Sequence, residues 1–268
     1  MSSGVLTARP WCCCTGLSDS GLCWPDAVRR WRHDYRIVAL DARGHGESPR
    51  FDPATSGSNR FDDMVADVVS LLEAVKSDGE GAGSPLLIGH SMGAGVAGLV
   101  LSTRPDLVRA TVLEDPPWFT MPDGGDRPPA TETPQQSVRQ FRDDLEAALA
   151  RGRSDLPLWP EIELRPWAES KAQLDPSLTD REQIVRQAPW VEVAATLTRP
   201  TLVVTGGREE AVLVSARSRQ RLADLGNRHI EVEVVPGAGH TVRRDCADAY
   251  HQIVDPWVRR QFARGSTD

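Results

Sequence analysis

The chain has 268 residues, of which 40% are hydrophobic and 26% charged, with a net charge of −7. That length can bury a full core, and the acid excess argues against nucleic acid or an anionic membrane as partner, since both reward a basic surface. No apolar run approaches the ~20 residues a bilayer span needs, and the opening MSSGVLTARPWCCC lacks the basic flank and long apolar stretch of a secretory signal.

In chain order, the first element is a short strand holding Cys12, Cys13 and Cys14. Neighbours on a strand point to opposite faces and cannot readily pair, so the three read as small core residues. Five cysteines with neither a C-x-x-C pair nor a nearby histidine suggest no zinc site. They point instead to a reduced, cytoplasmic setting. RIVALD (36–41) has the pattern of a buried strand, and FDDMVADVVSLLEAVKS (61–77) puts Phe61, Met64, Val65, Val68, Leu72 and Val75 on one helical face. The glycines of DGEGAGS (78–84) precede a strand, whereas a phosphate loop follows one and opens a helix, so this is a connecting loop. PLLIGH (85–90) is strand, MGAGVAGLVLS helix, and RATVLE (109–114) strand.

From about Pro116 to Pro200 the strand pattern stops. This stretch holds Trp118, Trp159, Trp167 and Trp190 and many prolines, Pro128 and Pro129 among them, with Val138, Phe141, Leu145 and Leu149 on one helical face. Strands resume at RPTLVVTG (199–206) and HIEVEVV (229–235), and a C-terminal helix follows. Alternation of this kind predicts an α/β fold with a mostly parallel sheet covered on both faces. Residues 1–115 and 200–268 form its core, and 116–199 a helical insertion over the sheet.

The sharpest chemical signal is Gly89-His90-Ser91-Met92-Gly93, a G-x-S-x-G placed between a predicted strand and a predicted helix. A tight turn there needs small residues two positions either side of the serine and lifts its hydroxyl toward the helix N-terminus. A hydroxyl is a poor nucleophile at neutral pH until a base takes its proton. The candidate base is His240, on the glycine-rich loop of VVPGAGHTV after the last strand. His229, His251 and His33 sit in regular elements, and His45 and His90 read as structural or pocket-lining.

LDARGHGES (40–48), GHSMGAG (89–95) and PGAGH (236–240), in that order, resemble the α/β-hydrolase superfamily along nearly the whole chain. The resemblance implies that fold, a cap formed by the insertion, and no cofactor. It also implies an oxyanion hole made by the amide of Met92 and one from the loop after an early strand. In CCCTGLSDSG the family's usual His-Gly becomes Thr15-Gly16, so Leu17 is the expected second donor. Only 14 residues precede Thr15, fewer than the family usually spends before this loop, so either the sheet is short of its first strands or the start site is not the native one.

A serine–histidine pair needs a carboxylate to hold the imidazole in the right tautomer. Most of the superfamily places it after the strand that follows the cap, but here that position is Gly207, with Glu209 and Glu210 beyond it. Some members, such as zearalenone-type lactone hydrolases and certain dehalogenases, carry a glutamate after the strand that precedes the cap. TVLEDPPW matches that placement, so Glu114 is the expected acid, with Asp115, Glu209 and Glu210 as alternatives.

The expected function is cofactor-independent cleavage of a carboxylic ester or lactone through an acyl-enzyme on Ser91. The substrate is expected to be small and apolar or aromatic; Trp118, Trp159, Trp167 and Trp190 are expected to pack the insertion, with one or two of them lining the substrate pocket. A serine at position 91 argues against dehalogenase and epoxide hydrolase chemistry, which need a carboxylate nucleophile. Carbon–carbon hydrolysis or perhydrolysis could use the same residues. The other class of reading is a non-catalytic, receptor-like protein binding a small apolar ligand under the cap, and the reactivity of Ser91 separates the two.

Overall fold

The computed structural model describes residues 9–52, 59–77, 83–118, 134–179 and 189–263, with backbone only at 134–137. Its centre is a six-stranded sheet of β1 (Arg9–Cys14), β2 (Tyr35–Leu40), β3 (Leu86–His90), β4 (Ala110–Glu114), β5 (Thr201–Gly206) and β6 (Ile230–Val235). The strands lie in the order β2-β1-β3-β4-β5-β6, and every neighbouring pair is parallel. The parallel sheet read from the sequence is therefore present.

Strand alternation sorts side chains onto the two faces. Cys12, Cys14, Leu87, Leu113 and Val203 join one core with α2 (Arg60–Ser77), α3 (Met92–Thr103), α7 (Trp190–Thr196) and α8 (Ala216–Leu225). Trp11, Cys13, Ile88, Val112 and Val204 join the other with α1 (Pro25–Trp31) and α10 (Ala247–Ala263). The cysteine run thus alternates across the sheet, with all three thiols free and buried. Burial pushes the Cys12 thiol up to about 12, so it is no nucleophile at neutral pH. The apolar face of α2 is buried at Phe61, Met64, Val68, Leu72 and Val75, as its spacing requires.

One strand differs from its sequence pattern. RIVALD reads as fully buried, yet β2 is half-buried along most of its length and exposed at Ala39. It is the end strand of the sheet, so only one of its edges is covered.

Between β4 and β5 lie α4 (Pro134–Asp143), α5 (Leu145–Asp155), α6 (Glu161–Ala172), a 3-10 turn (Pro176–Thr179) and α7. Phe141, Ala148, Leu149, Leu164 and Ala168 give α4–α6 a small core of their own. Asp144 caps α5 by accepting from the Ala147 amide at 2.9 Å. Pro128, Pro129 and most of the 78–84 loop lie outside the described residues. α6 is docked on the loop after β1, where Lys171 Nζ meets Asp19 at 2.9 Å, and on the start of α1, where Glu163 accepts from the Asp26 amide at 3.2 Å. It is docked also on α9 (Val242–Asp245), where Arg244 Nε donates to Glu163 at 2.9 Å, and the preceding segment adds Trp159 Nε1 donating to Asp245 at 2.8 Å. Among the described residues, no helix is long and apolar enough to cross a membrane.

Candidate active site

Ser91 stands in the turn from β3 to α3 with φ 51° and ψ −119°, a left-handed conformation that costs energy for any residue with a Cβ. The turn is held by the Ser91 amide donating to Glu114 O at 2.9 Å and the Gly95 amide donating to Ser91 O at 3.0 Å. Its tightness explains the flanking glycines. A Cβ on Gly89 would stand 2.4 Å from Gly93 O, and one on Gly93 would stand 2.4 Å from Cys14 O.

His240 reaches this turn from the loop between β6 and α9. The Ser91 hydroxyl lies 2.9 Å from His240 Nε2, and His240 Nδ1 lies 2.6 Å from Asp115 Oδ2. With Nδ1–H donating to the carboxylate, Nε2 is left to accept the serine proton. Asp115 is fully buried and its two oxygens also accept from Thr205 Oγ1 at 2.7 Å, the Leu213 amide at 2.9 Å and the Val214 amide at 3.0 Å.

Glu114, the acid expected from the sequence, is not the residue brought to His240. Alternation along β4 turns it onto the same face as Val112, toward α9 and α10. There it accepts from the Arg243 amide at 2.8 Å and from Arg243 Nη1 at 2.9 Å. Asp115 follows the last strand residue with φ 41°, a turn conformation that aspartate tolerates better than most residues, and its side chain meets β5 and His240. The adjacent acids therefore hold one loop at two points. Asp115 binds the imidazole, and Glu114 binds the main chain three residues later. Glu209 and Glu210 are exposed, and Glu209 is spent on Arg219 and the Ala216 amide at the start of α8. The signal for Asp115 was strand parity. One residue past the edge of β4 lies on the other face, which composition and motif do not record.

The loop after β1 lies directly against the serine. A Cβ on Gly16 would be 2.8 Å from His90 Nδ1 and 3.4 Å from Ser91 Cβ. Met92 is the first residue of α3, so its amide has no carbonyl partner within the helix. Leu17 packs partly buried against the larger core. The buried Asp19 anchors this loop, 3.0 Å from Arg244 Nη2 and 2.9 Å from Lys171 Nζ. Burial alone would raise its carboxyl, but Arg244, Lys171 and Arg243 outweigh burial and hold it well below the usual range.

His45, in the 41–48 loop, is fully buried with Nδ1 3.0 Å from Arg43 O. Burial lowers its pKa to about 4, against a partial opposing effect of that carbonyl. The unfolded chain protonates this histidine near pH 6.5, while the folded chain resists down to about 4. His45 therefore favours folding fully above pH 6.5, and that contribution is lost as the pH falls. Urea denaturation should show about 2–3 kcal/mol less stability at pH 4.5 than at pH 7 from this residue. His45→Gln should remove that part of the slope, and an unchanged slope would refute the assignment.

The four tryptophans of the 116–199 stretch, read as packing or pocket-lining, are placed as follows. Trp118 and Trp190 stack at 5.9 Å and are buried in the core with α3 and α7. Trp167 packs edge-on against Phe141 at 5.1 Å and Trp159 at 5.7 Å within the insertion. Trp159 also lies 4.6 Å from the Arg244 guanidinium. Each has partners that account for its burial without a ligand.

Residues 13–253 match the model of the alpha/beta hydrolase family. The chain is 28% identical over 236 residues to 2-(acetamidomethylene)succinate hydrolase of Mesorhizobium japonicum, covering 85% of this chain and 80% of that one. It is 32% identical over 90 residues to epoxide hydrolase 4 of Mus musculus, a match that spans 34% of this chain and only 23% of the epoxide hydrolase. Among solved structures, the N-formylmaleamic acid deformylase of Pseudomonas putida S16 superposes with a TM-score of 0.74 at 21% identity, covering 92% of each chain.

Proposed function

The chain belongs to the alpha/beta hydrolase family, and from that premise we propose that it is a serine hydrolase cleaving a carboxylic ester or lactone through an acyl-enzyme. The observation that carries the reading is the unbroken hydrogen-bonded chain from Ser91 through His240 to the buried Asp115. Ser91 Oγ attacks the substrate carbonyl while its proton passes to His240 Nε2. The imidazolium is stabilised by Asp115. The amides of Leu17 and Met92 are the proposed donors to the developing oxyanion. His240 then protonates the leaving alkoxide as its bond to the carbonyl carbon breaks. Water, deprotonated by the same imidazole, releases the acid and returns the proton to Ser91.

A hydroxyl at position 91, where epoxide opening would call for a carboxylate, supports acyl transfer. The insertion, docked beside both the Gly16 loop and the His240 loop, is proposed as a cap over the substrate, which is expected to be small and apolar.

The test is labelling by a fluorophosphonate probe read by intact mass. One adduct is expected, mapping to the peptide that contains Ser91 and absent from Ser91→Ala. A folded wild type that takes no label would sink the hydrolase reading and favour ligand binding without turnover.

A further inference from the structure

We propose that His90 is a positioning residue, its side chain tying the main chain of the His240 loop to the turn that carries Ser91; the proposal rests on the serine-hydrolase reading. His90 is the last residue of β3 and is 4% exposed. Its Nε2 lies 3.1 Å from the carbonyl oxygen of His240. A carbonyl only accepts, so Nε2 carries the proton and Nδ1 a lone pair. Nδ1 is buried without a hydrogen-bond partner among the described residues, facing Gly16 of the β1 loop.

Two hydrogen bonds therefore join the same two short segments. The side chain of His90 holds the backbone of His240, and the side chain of His240 holds the hydroxyl of the next residue, Ser91. Asp115 and Ser91 already hold the two ring nitrogens of His240, and the His90 bond adds a hold on the main chain from which that ring springs. With the rings 4.8 Å apart and tilted by 42°, side chain and main chain of His240 are both tied to the β3–α3 turn and the acid beside it. Burial, reinforced by the Arg243, His240 and Arg244 charges and opposed by Asp19, holds the His90 imidazole well below its ordinary range. It stays neutral at working pH and keeps its one proton on the bond to the loop. A buried polar side chain is costly, and an apolar residue would fill the space equally well if packing were the whole role.

The experiment compares fluorophosphonate labelling rates of wild type, His90→Phe and His90→Gln across pH. A misplacement of about 1 Å at a reacting pair costs on the order of a hundredfold. His90→Phe is expected to slow labelling at least tenfold at every pH. His90→Gln, whose amide nitrogen can reach the same carbonyl, should recover most of the rate. A folded His90→Phe that labels like wild type, or a folded His90→Gln no better than it, overturns the proposal. Nitrogen NMR of the wild-type histidines supplies a readout that needs neither a variant nor turnover. His90 should be neutral with its proton on Nε2 at pH 7, and a cation or a proton on Nδ1 would overturn the proposal even if His90→Phe does not fold. Wild type that takes no label while His90 shows the expected tautomer would count against the hydrolase reading and leave the hydrogen bond standing.

Discussion

Asp115→Asn should slow fluorophosphonate labelling of Ser91 by about ten-thousandfold, the scale on which loss of a triad carboxylate acts through the wrong tautomer. The geometry says why an isosteric change costs so much. Asp115 Oδ1 accepts from Thr205 and Val214, and Oδ2 accepts from Leu213 and His240. An asparagine keeps one accepting oxygen and must turn an NH2 toward the other pair of donors. Keeping Thr205 and Val214 satisfied sets that NH2 against His240 Nδ1, which must then give up its proton and accept. The proton moves to Nε2, where it faces the Ser91 hydroxyl, and no lone pair remains to activate the nucleophile. Labelling rates measured alongside circular dichroism would separate this from unfolding. A folded Asp115→Asn labelled within tenfold of wild type would mean that Asp115 does not orient the base.

Glu114→Ala should act differently, lowering stability by about 3–5 kcal/mol. Glu114 and Arg243 are both almost wholly buried, and their ion pair at 2.9 Å is joined by a bond from the Arg243 amide. Removing the carboxylate leaves the guanidinium with the Cys23 carbonyl at 3.0 Å, Asp19 at 3.8 Å and the face of Trp24 at 4.0 Å. Taking away one partner of a buried pair strands the other charge, whereas replacing both with apolar residues is often neutral. Glu114→Leu combined with Arg243→Met is therefore expected to recover much of the loss. At about 2–4 °C per kcal/mol for a domain near this size, Glu114→Ala should lower Tm by about 10 °C. An unchanged Tm would show that the pair holds no part of the His240 loop.

The two substitutions sit one residue apart, and their contrast marks where local pattern stops being informative. Strands were legible because alternating or continuous apolar runs must be buried, and the helices because Phe61, Met64, Val68 and Leu72 recur at helical spacing. Ser91 was legible because the tight turn around it tolerates only glycine at positions 89 and 93, a constraint written into five consecutive residues. His240 stood out as the histidine on a glycine-rich loop at a strand end. β2 misled because an apolar run does not say whether a strand is central or at the edge of the sheet. The tryptophans could not be assigned from sequence because a large aromatic side chain packs a core as readily as it lines a pocket.

The sequence by itself determined the elements, the parallel sheet and the two motifs that carry Ser91 and His240, since each is written in residues close together in the chain. Only the tertiary structure decided which acid meets the histidine. Asp115 and His240 are 125 positions apart, and what brings them together is the parity of β4, the left-handed turn at its end and the hydroxyl and amides of β5 and its following loop. In a pleated strand one step along the chain changes the face of the sheet, so two adjacent carboxylates of nearly equal chemistry were given a loop to anchor and an imidazole to orient.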